Sequence, residues 1–73
     1  MPLNRSNLDN VIEYHKPSDA QVAKIARIRE ATKHLCAEIL DCTPICADQQ
    51  AALRHAREAM MTANAAIVLD GAV

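Results

Sequence analysis

A chain of 73 residues makes one small domain, and a domain of that size buries only about 60% of the surface its unfolded chain exposes. With no Trp, no Phe and a single Tyr, the core must come from Ala, Ile, Leu, Val and Met, which excludes a thick self-sufficient interior and predicts a homo-oligomer. The net charge of −1, with both signs mixed along the chain, argues against a DNA or RNA polymer as partner. The three cysteines are an odd number without a signal-peptide pattern before them, which favours reduced thiols over a secreted disulfide framework, and no apolar run reaches the roughly 20 residues of a membrane span.

Taken in order, residues 1–16 form an N-terminal segment and residues 17–73 a helical hairpin domain. Met1 to Ser6 is polar and is expected to be mobile. Leu8, Val11 and Ile12 form a short apolar strip if helical. Tyr14-His15-Lys16-Pro17 is extended, because Pro17 disfavours helix at Lys16. Ser18 is a helix N-cap, with Gln21 three residues on to complete a capping box. The first long helix then runs from Asp19 to about Leu40 on Val22, Ile25, Ile28, Leu35 and Ile39, a stripe wide enough to touch two neighbours.

Asp41-Cys42-Thr43-Pro44 breaks that pattern. Pro44 suits a first helical position with Thr43 as cap, and Asp48 is an alternative start. The second long helix continues to about Leu69. Its apolar positions, Leu53, Ala56, Met60, Ala63 and Ile67, are spaced three, four, three, four, as in a narrow seam facing another helix. Gly71 stops it in a left-handed conformation. The short connection makes the helices antiparallel. The fold class is therefore all-α: an antiparallel two-helix hairpin with a short N-terminal segment, assembled from several copies.

Several residues invite a functional reading beside a plain one. Tyr14 is either a stacking platform for a base or a cover for the end of the hairpin core. Arg29 and Lys33, four apart, share a helix face that suits a phosphate or is merely solvated; Lys24 and Arg27 are a second close pair. Arg54 and Arg57 meet a ligand or neighbour across an interface, or Arg54 pairs with Glu58. Asn64, beside the seam, fixes helix register or presents its amide to a ligand. His34, Cys36, Cys42, Cys46 and His55 lack metal-ligand spacing. No catalytic set or phosphate loop emerges, so the chain reads as a binder with no cofactor, not an enzyme.

Tyr14-His15-x-Pro17 before a helix, Ile25-x-x-Ile28-Arg29 with Lys33 beyond it, and Glu58-Ala59-x-Met61-x-Ala63-Asn64-Ala65-Ala66-Ile67 together resemble the phage anti-CBASS cyclic-oligonucleotide sponges, which share a helical hairpin domain with the Thoeris anti-defence sponges. The resemblance covers about Val11 to Leu69. It implies a hexamer built as three dimers, working in the host cytoplasm and withholding cyclic di- or trinucleotides from bacterial immune effectors without altering them. It implies a dinucleotide site between protomers, with Tyr14 as the stacking ring, Arg29 as the basic partner, and His15, Lys16, Pro17 and Lys33 around them. A possible second pocket, for cyclic trinucleotides, takes Arg57 and Asn64. The chain departs from the pattern at Thr62, where relatives often carry Trp, and at Val68-Leu69, where they tend to carry a basic residue. The rival reading is a helical protein–protein interaction module without a nucleotide ligand.

Overall fold

Two glutamines fasten the ends of the hairpin. Ser18 caps the first long helix: its Oγ accepts from the Gln21 backbone N–H at 3.2 Å, and Gln21 Oε1 accepts from the Ser18 N–H at 2.9 Å, closing the expected capping box. The same Gln21 side chain donates through Nε2 to the Ile67 carbonyl at 3.0 Å, so the start of one helix is tied to the end of the other. At the opposite end Gln49 Nε2 donates to the Thr43 carbonyl at 3.2 Å, and Gln49 Oε1 accepts from Gln50 Nε2 at 3.3 Å. Gln49 is only 3% exposed, and burial is tolerable because both ends of its amide are bonded.

The computed structural model describes residues 2–72; Met1 and Val73, the outer limits of the two sequence segments, lie outside the described residues. The elements are α1 (Leu8–Ile12), α2 (Asp19–Cys42) and α3 (Ala47–Leu69), with α2 and α3 packed side by side along their length. The chain opens on an Asx turn, where composition suggests only a polar tail. Asn4 Oδ1 accepts from the Ser6 and Asn7 N–H groups at 2.9 and 3.2 Å, and Asn7 Oδ1 accepts from the Asn4 N–H at 2.8 Å.

The start of α3 differs from both expectations. Neither Thr43 nor Asp48 caps it, and Pro44 is not its first residue. The cap is Cys46, whose Sγ accepts from the Gln49 N–H at 3.4 Å. Thr43 instead ends α2, in the extended conformation (ψ 150°) that a following proline demands. Its Oγ1 turns back onto the Ile39 carbonyl, so this hydroxyl is used by the helix before it. That carries α2 on to Cys42, past the expected end at Leu40. The other terminus agrees with the sequence. Asp70 (φ 51°) and Gly71 (φ 78°) are both left-handed, and the Gly71 N–H reaches back to the Ala66 carbonyl at 3.3 Å.

The seam read from the sequence is the one that packs. Ala56 is buried, and Leu53, Met60, Ala63 and Ile67 are half-buried, against Ile25, Ile28, Thr32, Cys36 and Ile39 of α2, which follow at steps of three, four, four and three. Among the described residues Ala56 is the sole buried apolar one, at 8% exposure, while Val22, Leu35, Leu40 and Met61 stay near half exposed. The protomer measures 46 × 27 × 17 Å with a radius of gyration of 15.2 Å, against about 11 Å for a compact chain of this length. It exposes 5736 Å², where a compact monomer of its mass exposes about 4,450 Å².

Candidate functional site

Tyr14 stands on a short brace. After α1 ends, Glu13 turns extended (ψ 155°), and the His15 Nε2–H donates to the Asn10 carbonyl, folding the segment back against α1. Pro17 fixes the approach to the Ser18 cap. His15 and Pro17 are half-buried and Lys16 is exposed. Between these anchors the Tyr14 ring is 85% exposed. It therefore does not cover the end of the hairpin core, the plainer of its two readings. An aromatic ring left so bare is the one large stacking surface the chain has.

The helical repeat sorts the basic residues into two groups. Arg29 and Lys33 lie on one flank of the α2 seam, together with Val22 and Leu40; Lys24, Arg27 and Ala31 lie on the other. On α3, Arg57 and Asn64 fall on the same side of the hairpin as Arg29 and Lys33, and Ala59 and Ala63 on the other. Arg29, Lys33 and Arg57 are exposed. Lys33 Nζ is 3.7 Å from Glu30, with both side chains about 70% exposed, so that pair is weak and yields readily to a stronger anion. The expected Arg54–Glu58 pair is replaced: Glu58 lies 3.8 Å from His55 Nδ1.

Asn64 Oδ1 is buried and has no hydrogen-bond partner, although its residue as a whole is half-buried. A buried carbonyl oxygen without a donor is costly, by about 1–3 kcal/mol. It marks a place where the protomer's own hydrogen bonding is incomplete.

Of the predicted site residues, Tyr14 to Pro17 lie in the segment before α2, and Arg29 and Lys33 lie within α2. Tyr14 is 85% exposed, and Arg29 stands about 15 Å along α2 from its first turn. The hollows lie on the other face. One, of about 360 Å³, is lined by Lys24, Arg27, Ile28, Ala31 and Ile67. It continues into another of about 270 Å³ that reaches Leu35, Ala59 and Ala63. In the sequence Lys24 and Arg27 stand out only as a close pair; the signal for the groove is the small residues Ala31 and Ala59 beside the seam and Ala63 within it. Among the described residues no cluster of His, Cys, Asp or Glu fit to hold a metal is present, the three cysteines are free, and no helix is long and apolar enough to cross a membrane.

Fold and surface together define a helical hairpin of thin interior, with an unpaired ring on one segment and cations on exposed helix faces. The family model described as the Acb2/Tad1 hairpin domain matches residues 4–68, and the chain belongs to that family, the phage anti-CBASS and anti-Thoeris sponges. No curated protein and no solved structure gives a further match.

Proposed function

We propose that the protein is a sponge: it binds cyclic oligonucleotide second messengers, cyclic dinucleotides first, and withholds them from immune effectors in the host cytoplasm without chemical change. Family membership supports the role, and the exposure of Tyr14 carries the site. A base stacked on an aromatic ring gains about 1–3 kcal/mol, and a charge-assisted hydrogen bond to phosphate about 1.5–3 kcal/mol. Arg29 supplies the bidentate fork and Lys33 a second charge, with Lys16 near the ring. His15 and Pro17 hold the Tyr14 backbone, so little ordering is left to oppose binding.

Since Tyr14 and Arg29 do not meet in one chain, the cleft takes surface from another copy. Two copies across a two-fold axis offer two rings and two guanidinium groups to a ligand that is itself nearly two-fold. Three such dimers make the hexamer. The second pocket, for a cyclic trinucleotide, draws on Arg57 and on the unpartnered Asn64 Oδ1, an acceptor suited to an exocyclic amine.

A thermal-shift panel of cyclic di- and trinucleotides tests this reading. A ligand that binds only the folded form raises its stability, by about 2.7 kcal/mol at a hundredfold excess over Kd. A rise with cyclic dinucleotides, and none with linear dinucleotides, is the expected result. A flat response across the panel leaves the rival, a protein–protein interaction module using the exposed Val22, Leu35, Leu40 and Met61.

A further inference from the structure

A second stripe runs along α2 beside the one that meets α3. Lys24, Ile28, Ala31, Leu35, Glu38 and Cys42 follow at steps of four, three, four, three and four, the spacing of a helix seam that faces another helix. Ile28 is half-buried, Leu35 is 50% exposed, and the other four are exposed, so α3 leaves most of this stripe uncovered. Its ends differ in charge: Lys24 and Glu38 stand seven residues either side of Ala31. Among the described residues neither they nor Arg27 has an ion-pair partner within the protomer. The surface beside the stripe is concave, with the hollow bounded by Lys24, Arg27, Ile28 and Ala31.

We infer that this face receives a second copy of the chain, α2 against α2, antiparallel, about a two-fold axis at Ala31. Every contact then occurs twice. Lys24 of each copy meets Glu38 of the other, Ala31 meets its own counterpart, and its small side chain lets the helices cross closely. In this register Leu35 of the second copy stands opposite Arg27 and Ile28, where the hollow lies, as a knob entering a hole. A parallel pairing would set Lys24 on Lys24 and Glu38 on Glu38, so charge selects the antiparallel one. The protomer exposes about 1,300 Å² more than a compact monomer of its mass, and a stable interface takes roughly 800 Å² from each partner. The pairing rests on the self-association proposed above and adds which face is used. It leaves the Arg29 and Lys33 flank of α2 open to ligand.

Sedimentation of the full chain and its charge variants tests the pairing. Lys24→Glu sets like charges together at both ends of the interface and weakens self-association roughly tenfold or more, with helix content by circular dichroism unchanged. Adding Glu38→Lys to it restores the assembly, because the charges meet again with reversed polarity. Ala31→Arg, on the axis, lowers the assembled mass. If the wild-type chain is a monomer, self-association itself fails. If it assembles and Lys24→Glu and Ala31→Arg leave its mass unchanged, or if Glu38→Lys does not rescue Lys24→Glu, this pairing is wrong while the oligomer stands.

Discussion

At the scale of single residues, the side chains that matter most are those whose surroundings are incomplete or unusually complete. Tyr14 belongs to the first kind. Its ring gives almost nothing to the protomer, so Tyr14→Ala leaves stability and assembled mass unchanged while weakening cyclic dinucleotide binding by about 1–3 kcal/mol per stacked base. Isothermal calorimetry checks this, and unchanged affinity would move the site elsewhere. Gln49 belongs to the second kind. Gln49→Ala removes a buried amide bonded at both ends and leaves the Thr43 carbonyl without that partner. A loss of about 1–3 kcal/mol in denaturant unfolding is expected, and a neutral result would mean that water replaces the bond. Tyr14 was visible in the sequence as the one aromatic residue, but its exposure was not: a lone ring in a small chain reads first as core. Gln49 gave no signal, because a polar residue near a helix start is ordinary until the turn that buries it is known.

At the scale of elements, the hairpin was legible where one local rule governed and obscure where two competed. Ser18 and Gln21 lie at capping-box spacing with no rival start, and the three-four repeat from Leu53 to Ile67 belongs to only one helical face; both stand in the structure as read. The turn offered Thr43, Pro44 and Asp48 as possible starts. Cys46 prevailed because Thr43 was already committed to the Ile39 carbonyl at the end of α2. A thiol is a poor acceptor, so this cap is improvable: Cys46→Ser should raise stability by about 0.5–1 kcal/mol. Ser18→Ala should lower it by about 1 kcal/mol, and by more if Gln21, released from the box, also loses its bond to Ile67. Thermal unfolding of the two variants under reducing conditions reads both. Equal midpoints for Cys46→Ser and wild type would show that the Sγ contact already serves α3 fully.

At the scale of the whole molecule, the governing fact is that α2 and α3 cover only one stripe of each other. One small buried apolar side chain among the described residues, Ala56, is little to hold two helices of 24 and 23 residues together. In the proposed assembly the missing apolar burial comes from other copies. The residues proposed for the ligand show the same incompleteness: Tyr14, Arg29 and Lys33 are displayed by the protomer but not brought together. The proposed cleft is completed by another copy, so a single chain, read as sequence or as structure, would show only part of it. Binding and assembly should therefore be coupled. Diluting the protein below its assembly range should lower its apparent affinity for cyclic dinucleotide, and saturating ligand should shift assembly to lower protein concentration.

The claim on which the rest depends is that the ligand is held and not changed. It is tested most directly by loading the protein with a cyclic dinucleotide, removing the free ligand, denaturing the complex and weighing what is released. The account predicts intact cyclic dinucleotide in fixed proportion to protein. Linear or hydrolysed product, or protein that retains no ligand after the free fraction is removed, would contradict it.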